Sequence, residues 1–416
     1  MKVFYNIFIF FLGLGLRLFS IFNTRAREFV TGRKAIFKKI DEALQHNTQP
    51  IIWVHCASLG EFEQGRPVIE ALKTEFADHK IFLTFFSPSG YRVRKGYSLA
   101  DYVFYLPLDT RNNARKFVGK VKPRLAIFIK YEFWFHYSRT LRKKKIPLLS
   151  VSSIFRKEQV FFRKTGSFSR SILKNITHFF VQNHESVELL KSIDLYNVTL
   201  SGDTRFDRVK EIVDRRTDIE IAKKFKAEEK VFVIGSAWPE DLEVLLPFMN
   251  ENRLKFILAP HEITETFLLH IQQALTVKSV LYSQAQGKNL DEFSVLIIDN
   301  VGMLSRLYQY GEFAYVGGAF GKGLHNILEA ACYGIPVVFG NKNYEKFQEA
   351  VDLINRGGAF PVADYPDLKH TYEILNVPET FILACEVCRQ YVVENTGATA
   401  KVMDYCRDVL VRKANL

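Results

Sequence analysis

The sequence of 416 residues predicts an α/β protein with two Rossmann-like domains, preceded by an apolar helix. From residue 50 onward, short apolar runs alternate with helical patterns, which is typical of parallel sheets covered by helices. The alternation gives way to a polar stretch at 208–229 and then restarts. A chain of this length exceeds one ordinary core, so two domains of roughly 200 residues each are expected.

The N-terminal segment, over residues 1–24, is expected to anchor the protein to a membrane. An uninterrupted apolar run extends from Ile7 to Leu16, between Asn6 and Arg17. This run is marginal for a helix of ~20 residues that spans a bilayer, and a helix lying in the interface is the alternative. Basic residues follow the segment, and by the positive-inside rule they predict that the next domain is cytoplasmic.

The first Rossmann-like domain is expected over residues 25–207. Its first strand leads into a tight turn at 57–60, where open α/β sheets place ligands. Val68, Ile69 and Leu72 give the following helix one apolar face. The candidate strands are 50–56, 80–86, 102–106, 124–130, 146–152, 177–182 and 197–201.

Two carboxylates stand at the ends of predicted strands in this domain. Glu61 opens the helix after the first turn, beside Ser58 and Gly60. A loop that binds phosphate would not favour this charge, so Glu61 is suited to proton transfer; the alternative is a carboxylate that only complements the helix dipole. Glu132 follows the strand at 124–130 and lies at the same predicted edge. It either orients a substrate or a basic side chain, or is a helix-start charge.

A linker is expected over 208–229 and a second Rossmann-like domain, with terminal helices, over 230–416. The candidate strands are 231–235, 254–259, 279–282, 293–298, 312–316 and 335–339, and two helical stretches follow over 378–413. No GxGxxG pattern follows the first strand, which argues against a dinucleotide enzyme. Two such domains in tandem are typical of the GT-B arrangement of glycosyltransferases, in which the domains face a cleft that holds the active site.

The densest motif of the second domain lies at 317–331, where a strand feeds a glycine-rich loop. Gly318 lets the backbone approach a phosphate, Lys322 adds a positive charge, and a helix predicted to begin at His325–Asn326 adds N–H donors. Glu329, one turn later, is placed to accept the hydroxyls of a ribose. These features predict a nucleotide site; the alternative is a tight strand–helix turn with Asn326 as its cap.

Two further loops follow strands of the second sheet and are expected at the same site. One carries Ser236 and Trp238, and the other carries His261 and Glu262. The His-Glu pair lacks the HExxH spacing of a zinc site, and no DxD pattern suits a metal-bound sugar nucleotide. We therefore expect a mechanism that uses no metal and no cofactor.

Charge is distributed unevenly along the chain, whose net formal charge is +12. Residues 1–210 hold 36 Lys and Arg against 17 Asp and Glu, whereas 211–416 hold 21 against 28. The basic half indicates an anionic partner such as a membrane surface, an acidic lipid or nucleic acid. No recognisable RNA- or DNA-binding module accompanies the charge, so nucleic acid is not the expected partner. The five cysteines sit in apolar segments, as is typical of a reducing compartment.

Taken in order, these motifs resemble the Kdo transferases (glycosyltransferase family 30), which transfer 3-deoxy-D-manno-octulosonic acid. The residues that carry the resemblance are Ser58-Leu-Gly-Glu61, Glu132-Phe-Trp134, Gly202 with Phe206-Asp207, Gly235-Ser236, Pro260-His-Glu262, and Gly317-Gly318 with His325-Asn326-x-x-Glu329. They run in the family's order from residue 50 to about 360. Three positions depart from the family's usual residues: Trp238 replaces a His, Leu324 a Gly, and Phe135 a Pro.

The resemblance implies an inverting transfer of Kdo from CMP-Kdo to the lipid A precursor lipid IVA, in lipopolysaccharide biosynthesis. It implies that Glu61 is the general base, with Ser58, Gly60 and Glu132 on the acceptor side. The implied donor-binding residues are Ser236, His261, Gly318, Lys322, His325, Asn326 and Glu329. The protein would work at the cytoplasmic face of the inner membrane, with a single N-terminal anchor.

Two other functions stay open at this point. A membrane-associated GT-B transferase with a UDP-sugar donor would share the fold. A non-catalytic basic protein that binds membranes or nucleic acid would share the charge.

Overall fold

The computed structural model describes residues 1–412, which form an α/β structure with two parallel sheets. The strands are β1 (Ile51–Cys56), β2 (Lys80–Phe85), β3 (Tyr102–Tyr105), β4 (Leu125–Ile129), β5 (Leu148–Ser153), β6 (His178–Val181), β7 (Val198–Leu200), β8 (Val231–Ala237), β9 (Lys255–Pro260), β10 (Ser279–Leu281), β11 (Val295–Ile297), β12 (Phe313–Val316), β13 (Val337–Gly340) and β14 (Ala359–Val362).

The α-helices cover both sheets and form the N-terminal segment. They are α1 (Lys2–Phe19), α2 (Thr24–Gly32), α3 (Ile36–Leu44), α4 (Leu59–Glu75), α5 (Pro88–Arg94), α6 (Arg111–Val121), α7 (Phe135–Lys143), α8 (Ser167–Leu173), α9 (His184–Lys191), α10 (Thr204–Asp214), α11 (Glu220–Lys226), α12 (Pro239–Glu251), α13 (Glu265–Ala274), α14 (Leu304–Leu307), α15 (Leu328–Ala331), α16 (Gln348–Arg356), α17 (Tyr365–Leu375), α18 (Pro378–Glu394) and α19 (Ala398–Arg412).

The first of two compact units contains residues 1–208 together with 396–412. Its seven strands lie in the order β3-β2-β1-β4-β5-β6-β7, and every pair is parallel. All seven predicted strands of this half are present. The order reverses between β1 and β4, and ligands of open α/β sheets bind beyond the carboxyl ends of strands at such a point.

Both faces of this sheet are buried, which explains why its strands read as apolar runs rather than alternating patterns. Trp53, Phe82 and Phe128 pack on one face, and Val54 and Leu83 on the other. The predicted apolar face of α4, at Val68, Ile69 and Leu72, is fully buried against the second face. β1 and β4 are thus held rigidly side by side, with His55 paired to Phe128 in the ladder.

The last helix belongs to the first unit, whereas the sequence pattern predicted one domain over residues 230–416. α19 packs in the first unit, where Val402, Met403, Cys406 and Leu410 complete the same buried cluster as α4. Asp207 fixes the start of this helix by accepting hydrogen bonds from the N–H groups of Gly397 and Thr399, each at 2.6 Å. An amphipathic helix has an apolar face that fits either sheet, so the sequence pattern did not identify its partner.

The second unit contains residues 209–395 and a sheet in the order β10-β11-β9-β8-β12-β13-β14. All of its strand pairs are parallel as well. The six predicted strands are present, whereas β14 at the sheet edge was not predicted. The tandem Rossmann-like fold predicted from the sequence is confirmed.

Helix α1 lies along the first unit with one side docked. Ile9 is buried, the Tyr5 hydroxyl donates to Asp109 Oδ2 at 2.5 Å, and Asn6 Oδ1 lies 2.7 Å from His136 Nε2. Among residues 1–412, α1 is the one helix long and apolar enough to cross a membrane by length and composition. Its docked face repeats about every 3.6 residues, so the helix follows the body of the unit over its length.

Candidate active site

Glu61 occupies the third position of α4, directly after the carboxyl end of β1. Its Oε2 atom accepts hydrogen bonds from the Ser58 N–H at 2.8 Å and the Ser58 hydroxyl at 3.1 Å. This is one half of a capping box, so the carboxylate does support the helix start. The space around the Cβ position of Gly60 is open in the described chain, which leaves the turn accessible from one side.

The environment of Glu61 also strengthens it as a base. Burial raises the pKa of Glu61, and the nearby negative charge of Glu132 raises it further, while the two Ser58 hydrogen bonds lower it. A carboxylate with a raised pKa takes up a proton more readily near neutral pH. The capping interaction fixes the position of the group, and its surroundings tune its basicity, so the two interpretations of Glu61 are compatible.

Glu132 lies in the turn between β4 and α7, and its Oε2 atom holds two donors. His55 Nε2 lies 2.9 Å away and Trp134 Nε1 donates at 2.6 Å. The helix α7 begins only at Phe135, so the carboxylate serves these rings rather than a helix start. Glu61 and Glu132 share one sheet edge, as the strand pattern predicted.

His55 was missed by sequence reasoning. It is a fully buried residue of β1, and its Nδ1 atom lies 2.9 Å from Thr84 Oγ1 and 3.1 Å from the Thr84 carbonyl oxygen on β2. The ring therefore ties Glu132 to two neighbouring strands. A histidine inside the apolar run at 51–56 was the signal that could have identified it.

In the second unit, Asp241 pins together the loops that follow β8 and β12. This fully buried carboxylate accepts from the N–H groups of Trp238 and Gly318, each at 2.9 Å, and from the Tyr315 hydroxyl at 2.8 Å. Gly318 has a φ of 96°, and an added Cβ would collide with the Gly323 carbonyl oxygen at 2.5 Å. The loop thus requires glycine at this position. Asp241 was not predicted, because acids are common in a helix's first turn.

Three rings meet above this loop. Trp238 and His261 stack with centroids 4.0 Å apart, and His261 lies 4.6 Å from His325. Lys322 Nζ lies 4.0 Å from the centroid of the Trp238 ring. The glycine-rich loop, the 236–238 loop and the 260–262 loop therefore converge, as their positions after strands predicted.

The protonation state of His325 follows from its contacts. Burial, together with the neighbouring His261, lowers the pKa of His325 to about 4, so the ring is neutral at pH 7. Trp238 Nε1, which can only donate, lies 2.9 Å from His325 Nε2. The Nε2 atom is therefore the acceptor, and the proton of the ring is on Nδ1.

The predicted helix start at His325–Asn326 is wrong. α15 begins at Leu328 and is four residues long, and the N–H of His325 donates to the Gly317 carbonyl oxygen at 3.2 Å. This loop closure uses the donor that a helix N-terminus would have offered to an anion. The predicted contribution of a helix dipole at this point is withdrawn, and Glu329 lies in the first turn of α15 instead of one turn after His325.

Asn326 carries a polar atom that the protein does not satisfy. Its Nδ2 donates to Glu329 Oε1 at 3.2 Å, while its buried Oδ1 has no hydrogen-bond partner in the described chain. A buried acceptor of this kind is costly unless a ligand supplies a donor. Ser236 adopts a left-handed conformation, with a φ of 55°, and its backbone packs against the Gly317 position. In residues 1–412, no three His, Cys, Asp or Glu side chains are grouped as metal ligands.

Comparisons with known proteins agree with this architecture. A family model described as "3-Deoxy-D-manno-octulosonic-acid transferase (kdotransferase)" matches residues 31–208. A 3-deoxy-D-manno-octulosonic acid transferase from Aquifex aeolicus is 28% identical over 330 residues, covering 77% of this chain and 85% of the relative. One of the same name from Rickettsia bellii is 24% identical over 342 residues, covering 79% and 80%.

The solved structures show the same fold in more distant proteins. A UDP-GlcNAc 2-epimerase from Neisseria meningitidis, bound to UDP-GlcNAc, superimposes with a TM-score of 0.63 at 16% identity. The match covers 88% of this chain and 100% of that protein. At this identity the likeness concerns the fold alone.

The paired Rossmann-like units and these relatives define a glycosyltransferase with the GT-B fold. Within that class, the matching family model and the two relatives are those of Kdo transferases, and they support a place for this chain beside them. The resemblance drawn from the ordered motifs is thereby confirmed.

Proposed function

We propose that this protein transfers Kdo from CMP-Kdo to the lipid A precursor lipid IVA, with inversion at the anomeric carbon, in lipopolysaccharide biosynthesis. One observation carries the proposal. Glu61 is held at the switch point of the first sheet by two hydrogen bonds, with a raised pKa, in a chain whose relatives are named for Kdo transfer. The acceptor hydroxyl would lose its proton to Glu61 as its oxygen attacks the anomeric carbon.

Glu132, which follows the neighbouring strand β4 at the same sheet edge, supports the role of Glu61 as a base. Its negative charge raises the basicity of Glu61, while the donors His55 and Trp134 keep its carboxylate turned toward the sheet. We assign Glu132, with Ser58 and Gly60, to the acceptor side. Through its two hydrogen bonds, Ser58 would hold the Glu61 carboxylate in position to accept the proton of the acceptor hydroxyl.

The second unit is proposed to hold the nucleotide. Lys322 offers a positive charge and the Nδ1–H of His325 a neutral donor, which suits the phosphate of a leaving CMP. The unsatisfied Asn326 Oδ1 and the carboxylate of Glu329 suit the hydroxyls of a ribose. Ser236, His261 and Gly318 complete the donor side. Neither a metal nor another cofactor is assigned a role, and retained turnover in excess chelator would support that assignment.

The first unit is proposed to associate with the inner membrane at its cytoplasmic face. Residues 1–210 carry the excess of positive charge, and α1 exposes most of its large apolar side chains. A basic domain with an apolar N-terminal helix suits an enzyme whose acceptor is an anionic lipid.

The proposal is tested by measuring product formation from CMP-Kdo, generated in situ, and lipid IVA in detergent. We expect Glu61→Gln to lose on the order of 10²–10⁴-fold in turnover, as for a lost general base, and to keep its affinity for CMP. Glu63→Gln is the matched control, since Glu63 lies on the same helix and pairs with Arg94 at 2.7 Å.

Two results would contradict the proposal. A Glu61→Gln enzyme with near-wild-type turnover would reduce Glu61 to a helix cap and direct attention to Glu132. If the wild-type enzyme makes no Kdo-lipid but turns over a UDP-sugar from a panel of such donors, the donor is a UDP-sugar and not CMP-Kdo.

A further inference from the structure

A cavity of about 450 Å³ opens in the first unit beside the N-terminal end of α1. Its walls come from α1, from the first turns of α6, and from α7 with the residue after it. Positive charge dominates the lining, which contains Lys2, Arg111, Arg115, Arg139, Lys143 and Lys144. A second basic cavity continues this face along α6, at Arg111, Asn112, Arg115 and Lys116.

None of these six cations has a carboxylate partner within 4 Å in the described chain. Some basic residues elsewhere in the same unit are paired: Arg66 contacts Glu70 at 2.7 Å, and Lys73 contacts Asp101 at 2.8 Å. Six unpaired cations around one concavity repel one another, and an anion would relieve that repulsion. The charge of the lining therefore suits an anion, and these six side chains do not form a network of ion pairs.

The pKa of His136 reflects the positive charge around the cavity. Burial, followed by the charges of Lys2, Arg139 and Arg111, lowers the pKa of this ring to about 4. The ring is therefore neutral at pH 7, and its Nε2–H donates to Asn6 Oδ1 at 2.7 Å. This bond fixes α1 at the wall of the cavity, so the helix and the anion site are parts of one structure.

The face of α1 that is turned away from the unit is apolar and uncovered. Beside Lys2, Val3 is 67% exposed and Phe4 is 69% exposed. The same face continues through Ile7, Phe8, Phe11, Leu14 and Leu18. A helix docked along one side, apolar along the other and ending at unpaired cations has the form of an interfacial helix.

We propose that the cavity binds the phosphate of an anionic membrane phospholipid, while α1 lies in the plane of the bilayer surface with its apolar face in the acyl region. A free phosphate ion would match the charge of the cavity but would leave the adjoining apolar face in water. A phospholipid satisfies both features, because its headgroup and its acyl chains are adjacent. The site rests on the membrane association proposed above, and it does not depend on which sugar the enzyme transfers.

The test is co-sedimentation of the full chain with vesicles of phosphatidylcholine alone, or with one third phosphatidylglycerol. The variant Arg111→Gln/Arg115→Gln/Arg139→Gln removes three lining charges. At about fivefold per cation near a membrane surface, we expect it to lose on the order of 100-fold in partitioning to the anionic vesicles. The matched control, Lys224→Gln/Lys278→Gln/Lys369→Gln, removes three exposed charges of the second unit and should change the partitioning less than threefold.

Folding and alternative anions are checked in parallel. Circular dichroism and thermal unfolding establish that both triple variants are folded, and an additional variant, Phe8→Ser/Phe11→Ser, should lose binding to both kinds of vesicle. Equal losses for the lining variant and its control would overturn the site. So would unchanged vesicle binding with a raised KM for lipid IVA in nonionic detergent, which would assign the cavity to acceptor phosphates. Unchanged vesicle binding with loss of stabilisation by inorganic phosphate would instead assign it to a free anion.

Discussion

At the residue scale, the opposing effects on Glu61 give a pH prediction with a definite sign. The Ser58 hydroxyl lowers the pKa of Glu61, and the charge of Glu132 raises it. Since Glu61 must be ionised to accept a proton, Ser58→Ala should move the acidic limb of the kcat/KM profile to higher pH, and Glu132→Gln should move it to lower pH. The measurement is the pH dependence of kcat/KM, with Glu63→Gln as the unshifted control. Shifts in one direction for both variants would show that another group controls the limb.

Trp238 provides a second prediction at this scale, because it departs from the family's usual His. Trp238→Phe should retain the stack on His261 but lose the donor to His325 Nε2. A lost hydrogen bond of about 1 kcal/mol raises KM for the nucleotide donor roughly fivefold. Nitrogen chemical shifts of His325 should change from a pure Nδ1–H tautomer to a mixture. An unchanged tautomer would mean that another contact fixes the ring.

At the element scale, the strands were largely predictable and the site loop was not. Parallel strands buried on both faces, such as β1 and β4, leave continuous apolar runs in the sequence. The short α15 could not be read in the same way, because the loop before it is closed by backbone bonds from His325 and Gly323 to the two glycines at 317 and 318. Such closure depends on φ values rather than on an apolar period. For the same reason His55 was not predicted as a site residue, because its hydrogen-bond partners, Thr84 and Glu132, come from two other parts of the chain.

The docking of α1 gives a stability prediction for a pair of elements. Asp109 accepts a hydrogen bond from the Tyr5 hydroxyl of α1 at 2.5 Å. It also accepts from the N–H groups of His136 and Tyr137 at the start of α7, each at 2.9 Å. Burial raises the pKa of Asp109 from 3.8 to about 6, and the Tyr5 bond opposes that rise. Its ionisation therefore costs folding free energy as pH rises from about 4 to 6, and the cost is complete above that window.

Tyr5→Phe should consequently destabilise the protein by roughly 1–3 kcal/mol when Asp109 is ionised, and by less at pH 5 than at pH 8. Urea unfolding at the two pH values measures this difference. Tyr196→Phe is the control, because Tyr196 is 70% exposed. A penalty that is equal at both pH values would mean that Tyr5 acts through packing alone.

At the scale of the whole molecule, the sequence motifs predicted the relatives of the chain better than they predicted which unit each segment joins. The ordered set from Ser58 to Glu329 carried the resemblance to the Kdo transferases that the comparisons support, because each motif follows a strand and the fold brings strand ends together within each unit. The excess positive charge of residues 1–210 indicated an anionic partner, but only the structure shows unpaired cations gathered at one cavity. The return of α19 to the first unit left no local pattern, because its hydrogen-bonded partners in that unit lie 190 to 332 residues earlier in the sequence.

That return makes the first unit depend on both ends of the chain, whereas the second unit is continuous. A chain ending at residue 395 should therefore lose much of the stability of the first unit and leave CMP binding, assigned here to the second, intact. Met403→Ala is a milder form of the same change: Met403 is 3% exposed, so we expect a cost of about 2–5 kcal/mol. Leu383→Ala, at a site 63% exposed, should cost about 0.5 kcal/mol or less. Calorimetry with and without CMP separates the two units, since CMP should raise only the transition of the second. If the truncated chain loses CMP binding together with the stability of the first unit, the donor site draws on both units, and the assignment to the second alone fails.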